Sequence, residues 1–218
     1  MKVYFISGLG ADRRVFKNIQ LPPHYLPVYL DWIPPLKNET LTHYALRLAK
    51  DINPNESFSL VGLSLGGMMA VEIASRFKPV HTILISSIPS STHLPKYYRL
   101  LGKLQLHKFL PVSVVKQTSL IKRLFSAKTK EDKKMLESMI RNMDVPFMRW
   151  ALGAVLNWQF TNPDKNVFHI HGTYDEILPV RFTKPTHFIR KGGHLMVLNR
   201  AAEINQIIQA ILKETDER

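Results

Sequence analysis

The chain contains no cysteine, which excludes disulfides, thiolate-bound zinc and a cysteine nucleophile. No apolar run is long enough to span a bilayer. The opening run, Met1-Lys2-Val3-Tyr4-Phe5-Ile6-Ser7-Gly8, is too short for a signal peptide and reads as a strand. A cytoplasmic location is therefore expected. Acids are scarce: 17 Asp and Glu stand against 30 Lys and Arg, a formal net charge of +13. The imbalance is local. Between residues 90 and 160 thirteen Lys and Arg face only Glu131, Asp132, Glu137 and Asp144, so this one segment holds +9 of the total. No internal repeat, low-complexity tract or flexible linker is visible.

With 218 residues, 45% of them hydrophobic and 22% charged, the chain has the size and composition of one substantial folded unit with room for an insertion. Strand-like and helix-like patterns alternate. Residues 3–7, 28–32, 58–63, 80–86, 166–171 and 186–189 read as strands, and 40–51, 68–77 and 203–213 as helices. Continuous apolar strands alternating with helices predict the α/β class, a mostly parallel sheet covered on both faces. From Lys96 to Phe160 the texture differs. Met135, Leu136, Met139, Ile140 and Met143 recur at helical spacing, Thr129 with Asp132 resembles a helix start, and Pro111 and Pro146 punctuate the segment. It reads as three or four helices inserted between two strands. Asp12-Arg13-Arg14 reads as a helix cap followed by solvated cations.

The chemistry is concentrated in Gly62-Leu63-Ser64-Leu65-Gly66. An apolar strand runs into a serine with glycines two residues away on each side, and a helix-favouring stretch follows. This is the form of a nucleophile elbow, a turn so tight that its serine is held in a strained conformation. A serine hydroxyl needs a base, and the base needs an acid to fix its tautomer. After the insertion, Asp175 sits in a turn following a strand and His194 in the glycine-hinged Gly192-Gly193-His194 loop, the chain order that an elbow fold requires. Glu176 and Asp144 are alternative acids. His169 and His171 alternate along a strand like a metal pair, but no carboxylate cluster accompanies them and a structural role is favoured.

Taken together, Gly8-Leu9-Gly10 after the first strand, the Ser64 elbow, the turn from His171 to Pro179 and the Gly193-His194 loop resemble the α/β-hydrolase superfamily. The resemblance implies a six-stranded sheet of order 2-1-3-4-5-6 and a Ser64–His194–Asp175 triad. It also implies an oxyanion hole from the backbone N–H groups of Leu9 and Leu65. Residues 1–89 and 161–218 would form the core and 90–160 a helical cap. There are two departures. Many relatives carry two further strands before the first one here, so the core would be minimal. Ser7 stands where a histidine commonly precedes the glycine, which leaves open what supports the oxyanion loop.

These readings predict a serine hydrolase that cleaves a carboxylic ester or thioester through an acyl-enzyme, with no metal or organic cofactor. Its substrate would be a small acyl ester or thioester, with an acidic carrier protein as a partner that the basic cap could steer. Two other classes use the same features: a lyase or C–C bond enzyme on the same triad, and an anion-binding module using the basic cap. Nucleic acid is not expected as a partner, because the cap does not read as a stacking platform of interleaved surface aromatics.

Overall fold

The computed structural model describes residues 1–103 and 129–216. The part of the predicted helical insertion over 104–128, with Pro111 and five of its basic residues, lies outside the described residues. Six strands form one sheet: β1 (Lys2–Ile6), β2 (Leu26–Leu30), β3 (Phe58–Leu63), β4 (His81–Ile85), β5 (Val167–Gly172) and β6 (His187–Ile189). Their order is β2-β1-β3-β4-β5-β6, and all five pairings are parallel. β3 is buried at every position, as a central parallel strand with both faces covered must be.

Alternation along the strands divides the core into two layers. Tyr4, Leu60 and Leu84 pack with α1 (Leu41–Leu48) and α2 (Leu65–Phe77) on one face. Val3, Phe5, Val61 and Ile83 pack on the other with Ile204, Ile208 and Leu212 of α7 (Ala201–Asp216), which follows the short α6 (Met196–Asn199). The residues between β4 and β5 supply α3 (Lys96–Lys103), α4 (Lys130–Arg141) and α5 (Val145–Leu156). α5 adds Phe147 and Ala151 to the first layer, and α4 adds Leu136 and Met139 to the second. The segment leaves and rejoins the sheet at a narrow neck, where Phe160 O accepts both the Ser91 N–H at 2.7 Å and the Ser90 hydroxyl at 3.1 Å. Among the described residues no helix is long and apolar enough to cross a membrane.

Local chemistry accounts for the helix ends. Thr129 Oγ1 accepts the Asp132 N–H and Asp144 accepts the Phe147 N–H, each satisfying an orphan donor of the first turn. α2 begins at Leu65, three residues earlier than spacing suggests. Gly66 and Gly67 are poor helix formers, but packing rather than propensity decides there. Asp12 caps a 3-10 turn over Arg13–Phe16, and Arg14 and Arg13 are ion-paired on the surface with Asp12 and Asp31 rather than freely solvated.

One buried carboxylate ties α1 to α5. Glu39 accepts the Leu36 N–H (2.8 Å), the His43 Nδ1 (2.6 Å) and the Arg47 Nε (2.7 Å), while its backbone carbonyl accepts the Trp150 indole N–H at 2.8 Å. Burial pushes the carboxyl up, but Arg47, the Leu36 N–H and His43 outweigh it and hold it at about 2. The folded value lies below the ordinary 4.5, so this stabilisation is complete above that pH and is lost as pH falls from there toward 2. Wild type is expected to lose roughly 3 kcal/mol of unfolding free energy across this window through Glu39 alone. Glu39→Gln should flatten that fall in urea titrations at a series of pH values. An unchanged slope would assign the acid sensitivity to other groups.

Candidate active site

Ser64 occupies the strand-to-helix turn with φ 52° and ψ −117°, a conformation that costs a side-chain-bearing residue about 1–3 kcal/mol. The surroundings enforce it. A Cβ on Gly66 would lie 2.1 Å from the Ile6 carbonyl oxygen, and one on Gly62 2.4 Å from that of Gly66. α2 can therefore press against β1 and β3 only with glycine at both places. The Ser64 N–H donates to Ile85 O at 3.0 Å, and the Ser87 hydroxyl donates to Ser64 O at 2.6 Å. Sequence reasoning missed Ser87. Its one trace was the third glycine, Gly67, whose Cβ would sit 2.4 Å from Ser87 Oγ.

β1 pairs with β3, so the loop after β1 lies beside the elbow, and a Cβ on Gly8 would come within 3.3 Å of Ser64 Cβ. Ser7 supports this loop. Its hydroxyl donates to Ala11 O at 2.8 Å, Trp32 Nε1–H donates to the same oxygen at 3.2 Å, and the Ala11 N–H returns to Gly8 O at 3.0 Å. Leu65 is the first residue of α2, so its N–H has no acceptor one turn back within the helix. Leu9, on the loop, and Leu65 are the candidate oxyanion donors.

His194 Nε2 lies 2.9 Å from Ser64 Oγ, and His194 Nδ1 lies 2.8 Å from Asp175 Oδ2. A carboxylate accepts only, so the imidazole proton sits on Nδ1 and Nε2 is left to accept from the serine. Asp175 Oδ1 accepts the N–H groups of Ile177 and Leu178, both at 2.9 Å. Burial pushes the Asp175 carboxyl up, but His194 and His171 outweigh it and keep the group well below the usual carboxylate range. The two alternative acids lie elsewhere: Asp144 caps α5 and Glu176 is exposed. His169 Nε2 and His171 Nδ1 are 2.8 Å apart. Among the described residues no group of three His, Asp or Glu could hold a metal ion.

No protein-family model matches this sequence, and no curated protein is significantly similar to it. Solved structures are similar over nearly its whole length. A thermophilic esterase from Thermogutta terrifontis aligns with 98% of this chain and 90% of its own at 17% identity, with a TM-score of 0.68. MenH from S. aureus aligns with 98% and 94% at 18% identity and 0.70. A serine hydrolase involved in carbazole degradation aligns with 98% and 91% at 17% identity and 0.69. The chain has the α/β-hydrolase fold.

In this α/β-hydrolase fold a pocket adjoins the serine and a second lies along the loop after β1. One, of about 20 Å³, is lined by Ser64, His194 and Leu9 together with Leu136 and Ile140 of α4, and has room for about one water. The second, of about 310 Å³, shares Gly10 and Ala11 with the first and has apolar walls from Trp32, Met139, Met143 and Phe147, with Asp12, Arg14, Asn142 and Asp144 also on its lining. α4 contributes to both. It is tethered to the connection between β1 and β2 by Lys17, whose ammonium lies 2.9 Å from Asp132 and 3.2 Å from Glu131. The Asp132 carboxyl is nearly buried; burial raises it, but the Lys17 and Thr129 contacts prevail and hold it low.

Proposed function

We propose that the protein hydrolyses a carboxylic ester or thioester through an acyl-enzyme on Ser64. The observation that carries the reading is the continuous hydrogen-bonded chain from Ser64 through His194 to Asp175, with its serine on a strained elbow. Ser64 Oγ bonds to the carbonyl carbon as its proton passes to His194 Nε2. The Leu9 and Leu65 N–H groups stabilise the oxyanion, each worth about 3–4 kcal/mol in comparable sites. Collapse expels an alkoxide or thiolate, which takes the proton from His194. Water then attacks the acyl-enzyme by the same route and releases the acid. Asp175 holds the imidazole tautomer throughout and stays ionised.

Residues 90–160 act in this reading as a cap that selects the substrate. The pocket at Ser64 is small, about 20 Å³, and is walled by Leu136 and Ile140 of α4, so in this reading these side chains give way to the substrate. The apolar walls of the larger chamber suit a hydrophobic acyl group. The test is a panel of esters and thioesters of graded chain length, one thioester borne on an acidic carrier and assayed at low and high salt. Fluorophosphonate labelling read by mass spectrometry accompanies it. A single adduct on Ser64 and turnover of at least one chain length are expected. Folded protein that carries no adduct and turns over no ester would refute the acyl-enzyme. A carrier-borne rate indifferent to salt would remove the carrier as the steered partner.

A further inference from the structure

His171 lies on β5, fully buried, and its ring is built into the acidic end of the hydrogen-bonded chain. Its Nε2 faces two oxygens, Leu178 O at 2.8 Å and Asp175 Oδ2 at 3.3 Å. Both are acceptors, so the proton must sit on Nε2 and is shared between them. An ionised carboxylate has about four acceptor sites. In Asp175 they are taken by the Ile177 N–H, the Leu178 N–H, the His194 ring and the His171 ring. His171 also joins the two ends of the turn from Asp175 to Leu178, because the residue whose carbonyl it holds is the one whose N–H binds Oδ1. Its other edge is fixed by His169, itself 3.4 Å from the Thr183 hydroxyl.

We propose that His171 is a positioning residue for the acid–base pair: its Nε2–H clamps Asp175 to the Leu178 carbonyl and so fixes the carboxylate that orients His194. The proposal rests on the acyl-enzyme reading for its kinetic consequences but not for its geometry. Oδ2 is shared by His171 and His194, so the fourth donor also withdraws charge from the oxygen that His194 faces. Removing it leaves a more strongly negative oxygen against the imidazole, which favours the protonated ring and moves the acid limb of the rate profile to higher pH. The titratable groups around this ring are Asp175, His169 and His194, with Tyr98 of α3 near the carboxylate and His93 and Lys184 beyond His169. Burial, with His171 beside it, pushes the His169 imidazole down to about 3, so that neighbour carries no charge at working pH.

Two variants and one spectrum test this. His171→Leu removes the donor, while His171→Gln places an amide N–H near the position of Nε2. His171→Leu is expected to lose about tenfold in kcat toward a short-chain ester with KM unchanged, and to move its acid limb up by about one pH unit. His171→Gln should recover kcat to within about threefold of wild type. A Leu variant with wild-type kcat and an unshifted limb, or a Gln variant as slow as Leu, would overturn the proposal. Long-range ¹H–¹⁵N spectra of the wild-type imidazoles should show a proton on His171 Nε2. This reading needs no turnover. An Nε2 without its proton overturns the proposal whether or not the Leu variant folds, and an inert Ser64 with that proton in place indicts the acyl-enzyme reading instead.

Discussion

Ser64→Ala is expected to lower kcat by roughly 10⁶-fold and to abolish the fluorophosphonate adduct, with the fold intact. The size follows from the way nucleophile and base act together. With the Oγ removed, His194 has no proton to take, and the remaining turnover comes only from binding and the oxyanion donors acting on water. His194→Ala should cost about as much as Ser64→Ala, and the double variant should be no slower than either single one, because each removes the same step. Stability should barely move. Alanine keeps a Cβ at φ 52°, so the strain of the elbow is retained and only a half-buried hydroxyl with its hydrogen bond to His194 is lost. Measured kcat values for the three variants decide the matter. A Ser64→Ala protein retaining more than about 1% of wild-type turnover would place the nucleophile elsewhere.

Gly66→Ala is expected to prevent folding, or to cost more than about 5 kcal/mol where folded protein is recovered. The added Cβ would sit 2.1 Å from Ile6 O, 2.6 Å from Ile6 C and 2.4 Å from Ser7 O. These atoms belong to the backbone at the end of β1, whose strand is paired on both sides and cannot rotate away as a side chain would. Relief requires α2 and β1 to separate by about 1 Å, which opens the layer between them. Gly8→Ala makes the contrast, since its nearest contact is 3.3 Å and is to a side-chain carbon. Soluble yield and thermal midpoint for the pair give the comparison. A Gly66→Ala protein that melts with wild type would contradict the close approach.

The central strands were legible because a parallel strand covered on both faces must be apolar throughout, and β3 is. The start of α2 was not, since the helix begins at Leu65 and runs straight through two glycines that propensity would exclude. Ser64, Asp175 and His194 stood out because glycine punctuation and chain order single them out, and they lie within hydrogen-bonding distance. The other members of the site left fainter marks. His169 and His171 are two residues apart on a strand, so spacing shows that they share a side but not that Asp175 and Leu178 O lie beyond them. Lys17 and Asp132 meet across the fold, and nothing near either residue in the chain announces the pair. Ser7 departs from the common histidine, and its hydroxyl nevertheless holds the loop through Ala11 O.

The neck at Ser91 and Phe160 has a consequence for how this scaffold can change. β4 and β5 are adjacent strands whatever lies between them in the chain, and Phe160 O takes two hydrogen bonds where the excursion closes. The entropy of closing so long a loop varies slowly with length, about 0.6 kcal/mol per doubling, so the sheet is nearly indifferent to how many residues are threaded through that gap. A replacement must instead reproduce its footprints, among them Leu136 and Met139 on one layer, Phe147 and Ala151 on the other, and the Trp150 and Asp132 contacts. The length of this segment is thus nearly uncoupled from the strands that hold serine, histidine and aspartate in register.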